Sequence, residues 1–218
     1  MTIEHTTTAE KFLDFAIQAD VLRFGTFQTK AGRSSPYFFN AGLFHDGRLL
    51  AQLGSFYAET LMNAQTPFDM LFGPAYKGIP LAAATAISLA RDHDKNLPFA
   101  YNRKETKDHG EGGNIIGAPL QGKVLIVDDV ISAGTSIRES VEWIQQAKAT
   151  LAGVVIALDR QERGTGSTSA TQEIQTTYQV PVIAIARLED LIRLLARKPD
   201  HTQQLQSILS YREQWGVA

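Results

Sequence analysis

The sequence predicts an α/β fold, an open and mostly parallel twisted sheet with helices on both faces and a small N-terminal hood of one helix and a hairpin. Four short apolar runs have the length of buried strands, and most lack the polar alternation that marks a half-exposed strand. Segments with helical periodicity lie between these runs, and that alternation is typical of a parallel sheet. The first 45 residues show a different pattern, which favours a small unit packed on the sheet.

The hood is predicted to begin with a helix. Thr7 to Glu10 can cap it, and Phe12 is the first of several apolar residues at helical spacing. Two aromatic segments then flank a Lys-Ala-Gly-Arg turn. They predict the two strands of the hairpin, at 24–28 and 37–40.

The four apolar runs are predicted as strands of the sheet, at residues 70–72, 123–127, 153–158 and 182–185. Between the second and third runs, Ser136 and Glu139 have the spacing of a capping box. Ile137, Val141 and Ile144 then recur along one face of the helix that follows. Similar periodicity predicts further helices near 49–61, after Gly78, at 188–196 and at 202–211.

The composition limits the functions that the chain can have. With 218 residues, 44% of them hydrophobic and 20% charged, it is typical of a single globular domain over residues 1–218. Cysteine is missing, which excludes disulfides, thiolate metal sites and a cysteine nucleophile. The 21 basic and 23 acidic residues give a net charge of -2, which argues against nucleic-acid binding. A signal-peptide pattern and a bilayer-length apolar run are both missing, so we expect a cytoplasmic location and no membrane partner.

Two adjacent carboxylates, Asp128 and Asp129, follow the apolar run at 123–127. The carboxyl ends of parallel strands face the ligand crevice, so these acids are predicted at a binding site. The small residues of the turn at 132–136 let backbone N–H groups approach a phosphate, and the N-terminus of the next helix favours an anion. Carboxylates beside a phosphate site suit a ribose 5-phosphate. The alternative is that both acids only cap the end of the strand.

The segment 102–114 contains no apolar residue and ends in a glycine-rich stretch. A segment with nothing to bury cannot anchor itself on the core, so we expect it to move freely. Its cations would close over a polyanion, which predicts a flexible catalytic lid. These cations are Arg103, Lys104, Lys107 and His109. The alternative is an ordinary solvated loop.

Two further segments carry weaker signals. Lys77 lies in a Gly-Pro-Ala-Tyr-Lys-Gly turn after the run 70–72, and this predicts a second anion site unless the turn is an ordinary connection. Phe38 and Phe39 are consecutive and follow a basic turn. Neighbouring residues of a strand point to opposite faces, so one ring is left to cover a flat ligand.

Four segments, in order along the chain, resemble the motifs of the type I phosphoribosyltransferase family, in its orotate-using branch. They are Lys30 with Ser-Ser-Pro-Tyr-Phe-Phe-Asn, then Gly-Pro-Ala-Tyr-Lys-Gly, Arg-Lys-Glu-Thr-Lys-Asp-His-Gly-Glu-Gly-Gly, and Val-Leu-Ile-Val-Asp-Asp-Val-Ile-Ser-Ala-Gly-Thr-Ser. One segment alone is only suggestive. Four in the same order cover nearly the whole chain and make the resemblance highly specific.

The resemblance implies the type I phosphoribosyltransferase fold, with residues 1–45 forming much of a base-binding hood and 102–114 a flexible lid. The implied reaction moves the ribose 5-phosphate group from phosphoribosyl pyrophosphate to N1 of orotate, giving orotidine 5'-monophosphate and pyrophosphate in pyrimidine synthesis. The implied cofactor is Mg²⁺, held mainly by substrate and water. A homodimer is also implied, because in this family the lid reaches the active site of the neighbouring subunit.

The resemblance assigns roles to residues of this chain one by one. The implied catalytic residues are Lys107, His109, Asp128 and Asp129. The implied orotate-binding residues are Phe38, Phe39, Ser132 and Arg160, and the family commonly has threonine where this chain has Ser132. The implied phosphoribosyl pyrophosphate-binding residues are Lys30, Tyr76, Lys77, Arg103, Lys104, Lys107, His109, Asp128, Asp129, Val130, Ile131, Ser132, Ala133, Gly134, Thr135 and Ser136.

Two other functions share part of this pattern. A type I phosphoribosyltransferase acting on another base would differ in the region of Phe38, Phe39 and Arg160. A non-catalytic regulator could use the same fold to sense phosphoribosyl pyrophosphate and bind nucleic acid. The intact segment 102–114 and the lack of net positive charge oppose the regulator.

The composition of the lid yields a first prediction. Replacement of Lys107 by alanine should lower kcat by about 10² or more, the scale of losing one preorganised donor to a developing charge. Folding should be intact, because the segment has nothing to bury. Steady-state rates and thermal unfolding of the variant check both points, and a fall in kcat of less than about threefold would remove Lys107 from the mechanism.

Overall fold

The computed structural model describes residues 6–29, 31–104, 114–164 and 166–217. The strands are β1 Leu22–Gln28, β2 Ser34–Phe39, β3 Met70–Gly73, β4 Phe99–Asn102, β5 Ile115–Gly117, β6 Lys123–Asp128, β7 Thr150–Asp159 and β8 Val182–Arg187. The helices are α1 Thr8–Gln18, α2 Gly47–Ala64, α3 Gly78–His93, α4 Thr135–Gln146, α5 Ala170–Tyr178, α6 Leu188–Ala196 and α7 Thr202–Trp215. No helix in these ranges is long and apolar enough to cross a bilayer.

Six strands form the main sheet, in the order β5-β4-β3-β6-β7-β8. All neighbours are parallel except β4 and β5. The predicted mostly parallel sheet is confirmed, and each of the four apolar runs is one of its strands. The sequence analysis missed β4 and β5, which are only four and three residues long.

Alternate residues of the central strands enter two separate cores. Leu125 and Val127 of β6 pack on the side of α1, α2, α3 and α6. Val124 and Ile126 pack on the opposite side, against α4 and α5. All four side chains are fully buried. This explains the continuous apolar run, because a strand covered on both faces has no polar face to present.

The N-terminal hood forms as predicted. Thr7 and Glu10 make a reciprocal capping box at the start of α1, with both hydrogen bonds at 3.2 Å. Antiparallel β1 and β2 form the hairpin. The Phe12 ring packs against Phe39 of β2 and Phe56 of α2, with ring centroids 6.2 Å and 5.6 Å away. The hood therefore shares one apolar core with the sheet.

The capping box predicted from Ser136 and Glu139 is wrong. Gly134 occupies the N-cap position of α4 in the left-handed region, with φ of 70°, and makes no side-chain cap. The Ser136 hydroxyl instead donates to Asp128 Oδ2 at 3.0 Å. The predicted periodicity is right, because Ile137, Val141 and Ile144 are buried. The Ser136 hydroxyl, predicted to cap the helix, is therefore bound to the buried carboxylate of Asp128 instead.

Gly73, at the end of β3, lies in close contact with the backbone at the start of α3. A Cβ atom there would lie 2.1 Å from the backbone oxygen of Gly78, which cannot move without shifting α3. Gly73→Ala should therefore lower the free energy of unfolding by about 1–3 kcal/mol, the usual range for overpacking. In a chain of this size that lowers Tm by about 2–4 °C for each kcal/mol.

Gly47→Ala is the matched control, because no heavy atom lies within 4 Å of its added Cβ. Its unfolding free energy should stay within about 0.5 kcal/mol of wild type. Thermal or denaturant unfolding measures both variants. Equal stability of the two would show that α3 yields freely at this contact.

Candidate active site

Two carboxylates are buried where β6 ends. Asp128 and Asp129 are only 7% and 6% exposed. The Asp129 backbone N–H donates to Asp128 Oδ1, and the Val130 N–H donates to Asp129 Oδ1, both at 2.9 Å. Burial, and then the charge of Asp129, raises the pKa of Asp128 to about 6. The local hydrogen bonds therefore hold two close negative charges that burial disfavours.

Lys77 joins the turn after β3 to these carboxylates. Its Nζ lies 2.7 Å from Asp129 Oδ2. The lysine side chain is half exposed, whereas Asp129 is buried. The two segments that the sequence predicted as separate anion sites are therefore neighbours, since β3 and β6 pair directly.

The same turn is tied to the beginning of the predicted lid. The Ala75 N–H donates to the buried Asn102 Oδ1 at 2.7 Å. Lys104 Nζ lies 4.9 Å from the centroid of the Tyr76 ring. Asn102 carried no sequence signal for this contact, because an isolated asparagine at a strand end is ordinary. Among the predicted site residues, Lys30, Lys107 and His109 lie outside the described residues.

The turn after Asp129 leads into a helix whose N-terminus has no side-chain cap in the described structure. The Arg138 side chain donates a hydrogen bond to the Ala133 carbonyl and so stabilises the turn. Ser132 and Ala133 are exposed. The first backbone N–H groups of α4 thus remain available to an anion, and the helix dipole favours one.

The two predicted aromatic residues point in opposite directions, as expected. Phe39 is 6% exposed and packs against Phe12 and Phe44 in the hood core. Phe38 is 41% exposed and stacks on Phe27, with ring centroids 5.4 Å apart. The Phe38 ring can therefore cover a flat ligand. Because the Phe39 ring is buried, only the backbone of Phe39 is available to contact a ligand.

Arg160 follows β7 and reaches across to the hairpin. Its Nε donates to Glu162 Oε1 at 2.9 Å, and its Nη2 donates to Ser35 Oγ at 3.0 Å. Its guanidinium carbon lies 4.2 Å from the centroid of the Tyr37 ring. Burial lowers the pKa of Arg160, but Tyr37 and Glu162 outweigh it and raise the pKa above the ordinary value. Glu162 and Ser35 could not be predicted as partners of Arg160, because nothing in the sequence shows that residues 35 and 160 meet.

A cleft of about 490 Å³ lies between the hairpin and α7, apart from Asp128 and Asp129. Ser35 and Tyr211 belong to its wall, and every lining side chain is neutral. A site for a polyanion needs donors or cations, which the carboxylate end of the sheet supplies through Lys77 and the start of α4. We therefore place the candidate active site at the end of β6.

Comparison with known proteins agrees with this geometry. Residues 43–180 match the phosphoribosyl transferase domain family. The orotate phosphoribosyltransferases of Cronobacter sakazakii and Salmonella typhi are each 59% identical over 207 residues, which is 95% of this chain and 97% of each relative. The crystal structure of orotate phosphoribosyltransferase from Francisella tularensis matches with a TM-score of 0.87 and 40% identity, over 95% of this chain and all of that one. The chain belongs to the orotate phosphoribosyltransferase family, within the type I phosphoribosyltransferases.

Proposed function

We propose that this enzyme transfers the ribose 5-phosphate group from phosphoribosyl pyrophosphate to N1 of orotate, giving orotidine 5'-monophosphate and pyrophosphate. One observation carries the proposal. The Lys77–Asp129 contact brings a cationic turn against two buried carboxylates, directly before a helix N-terminus without a side-chain cap. Phosphate, ribose hydroxyls and diphosphate thus each have a group of matching chemistry within one edge of the sheet.

Different groups of the chain bind different parts of the substrate. Backbone N–H groups of the turn 130–134 and the start of α4, that of Ser136 among them, hold the 5-phosphate. The hydroxyls of Ser132 and Thr135 add to this set, while the Ser136 hydroxyl stays on Asp128. Asp128 and Asp129 accept hydrogen bonds from the ribose hydroxyls. The diphosphate is held by basic residues and one tyrosine on two turns and the lid. These are Lys30, Tyr76, Lys77, Arg103, Lys104, Lys107 and His109.

The transfer breaks the bond between the anomeric carbon and a diphosphate oxygen and forms a bond from that carbon to N1 of the base. N1 gives up its proton, which the departing diphosphate can accept. Positive charge develops on the ribose, and Asp128 and Asp129 lie on the side that stabilises it. Negative charge develops on the leaving diphosphate. Lys77 can turn to that charge once the ribose hydroxyls take its place on Asp129. The lid at 102–114 excludes water that would otherwise hydrolyse the activated sugar.

A magnesium ion fits this site as a substrate-bound partner. No cluster of three or more histidine, aspartate or glutamate residues lies among the residues that the structure describes. Asp128 and Asp129 offer oxygen acceptors when ionised, and in this proposal they face the ribose hydroxyls beside the diphosphate. Mg²⁺ prefers oxygen ligands and keeps several waters, so it would neutralise the diphosphate from the substrate side.

The base is recognised at the end of the neighbouring strand β7. Arg160 faces the orotate carboxylate, Phe38 covers the ring, and the backbone at Phe39 and Ser132 completes the pocket in the hood of residues 1–45. Arg160 suits this role because arginine is a planar donor that matches a carboxylate. A base without a carboxylate would leave the remaining donors of this partly buried arginine without a ligand.

We also propose a cytoplasmic homodimer in which each lid serves the neighbouring subunit. Ile87 of α3 and Met62 of α2 are 63% and 40% exposed, and Tyr76 beside the site is 64% exposed. These exposed apolar side chains are the candidates for contact with a second copy. The cytoplasmic location follows from the substrate, because a sugar with three phosphate groups does not cross a membrane unaided.

The test is turnover of orotate by the purified protein with magnesium and phosphoribosyl pyrophosphate, with adenine, hypoxanthine and uracil in parallel. Loss of orotate absorbance that requires every component is the expected result. Turnover of another base instead would overturn the pocket assignment around Arg160 and Phe38. Binding of phosphoribosyl pyrophosphate without turnover of any base would favour the regulator.

Asp128 should link activity and stability to pH in opposite directions. Its pKa rises from 3.8 to about 6 on folding, so the folded state holds this proton more tightly than the unfolded chain. The stability that this group contributes is therefore present below about pH 4 and lost as pH rises toward about 6. The ionised form, which accepts the ribose hydroxyls, is gained over the same range.

Asp128→Asn should lower kcat/KM for phosphoribosyl pyrophosphate about 10- to 100-fold, because hydrogen bonds to a charged group are lost. It should also raise the free energy of unfolding relative to wild type, more above about pH 6 than below about pH 4. Initial rates and denaturant unfolding across this range measure both effects. Substrate phosphate also titrates near pH 6. A fall in rate at low pH is therefore assigned to Asp128 only if wild type shows it and the variant does not. A variant less stable than wild type at neutral pH would contradict the sign.

A further inference from the structure

Arg160 is held along one edge of its guanidinium group. Glu162 Oε1 lies 2.9 Å from Nε and 2.5 Å from Nη2. Ser35 Oγ lies 3.0 Å from the same Nη2. The Ser35 hydroxyl donates to the Tyr37 carbonyl at 2.7 Å, so its oxygen presents a lone pair to the arginine. Two acceptors on different elements thus converge on Nε and Nη2.

This arrangement leaves Nη1 for a ligand. Within the described part of the chain, the hydrogen bonds from Arg160 to Glu162 and Ser35 use Nε and Nη2 and not Nη1. A guanidinium group is planar and rigid, so fixing the Nε–Nη2 edge fixes the direction in which Nη1 donates. The Tyr37 ring beneath the guanidinium restricts its tilt. Arg160 therefore offers its remaining donors along one defined direction.

The backbone at Glu162 is itself anchored by residues 215–216. Its backbone pairs with Gly216, and the next N–H, that of Arg163, donates to the Trp215 carbonyl at 2.9 Å. Arg33 from the hairpin turn donates to the Arg163 carbonyl at 2.7 Å and lies over the Trp215 ring. The carboxylate of Glu162 cannot simply follow a moving Arg160, because its backbone is anchored on two sides.

We propose that Glu162 and Ser35 are positioning residues that orient Arg160 and so set the selectivity for a base that carries a carboxylate. The inference depends on the proposed function, in which Arg160 binds that carboxylate. The contrary view is that Glu162 acts only through its charge. A negative charge beside Arg160 repels an anionic base, so its removal would then tighten orotate binding. Positioning and simple charge thus predict opposite signs for one substitution.

The experiment compares steady-state kinetics of wild type, Glu162→Ala and Glu162→Gln. We expect Glu162→Ala to raise KM for orotate about tenfold, the scale of a lost charge-assisted hydrogen bond. KM for phosphoribosyl pyrophosphate and kcat should change less than about twofold, because Arg160 does not contact the transferred group. Glu162→Gln retains an oxygen acceptor at the same place and should restore KM for orotate to within about threefold of wild type. An unchanged or lowered KM for orotate in Glu162→Ala would overturn the inference.

Uracil is the probe for selectivity, since it shares the pyrimidine ring of orotate and lacks the carboxylate. Its inhibition constant against orotate should be the same in wild type and Glu162→Ala. If uracil binding weakens by the same factor as orotate binding, the substitution has damaged the pocket in general. That result would overturn a role of Glu162 in carboxylate selection. Failure of wild type to use orotate would instead reject the proposed function itself.

The chain offers a matched control and a milder variant. Arg187 and Glu189 have the same two-residue spacing at the end of β8 and are 3.6 Å apart, but both are well exposed. Glu189→Ala should leave every constant within about twofold of wild type. Ser35→Ala removes one acceptor without leaving Arg160 unpaired, and it should raise KM for orotate about fivefold even if Glu162→Ala does not fold. No change in Ser35→Ala would reject Ser35 as a positioning residue.

Discussion

Two like charges buried side by side at the end of β6 impose the main constraint on this structure. Asp128 and Asp129 are both buried, and the charge of Asp129 disfavours the ionised form of Asp128 further. Donors must therefore be brought to them from several directions. The backbone supplies two, through the N–H groups of Asp129 and Val130. The other two come from Ser136 and Lys77, and these two fix the positions of the neighbouring turns.

The need for these donors explains the helix that follows. A serine in the first turn of α4 would ordinarily compete to cap the helix, and here it is drawn to Asp128 instead. The helix N-terminus is left with unpaired N–H groups, which is unfavourable in an empty protein and favourable when a phosphate binds. One hydroxyl group thus stabilises the carboxylate that we propose binds the ribose, and it leaves the proposed phosphate site open.

Much of the fold could be predicted from the sequence, because burial of both sheet faces requires continuous apolar runs such as 123–127. Strands β4 and β5 were not predicted, since they are short and neither contains an apolar run of the kind that predicted the equally short β3. The positions of Asp128 and Asp129 could also be predicted, because a parallel sheet puts its functional residues at strand ends. The partners of Arg160 could not be, because the contact with Ser35 joins residues 125 positions apart. Such pairings depend on how the hood packs, which local patterns do not encode.

The proposed ribose and base subsites owe their separation to strand pairing. Asp128 of β6 lies opposite Ile156 of β7, and β7 continues to Asp159 before Arg160. Adjacent strands lie about 4.8 Å apart, and Arg160 follows four positions after Ile156, so the arginine lies farther along the strand direction than the carboxylates. The carboxylates and the arginine therefore need no loop to set their spacing, because the sheet sets it. What remains adjustable is the direction of the arginine, and Glu162 and Ser35 control it from the chain end and the hairpin.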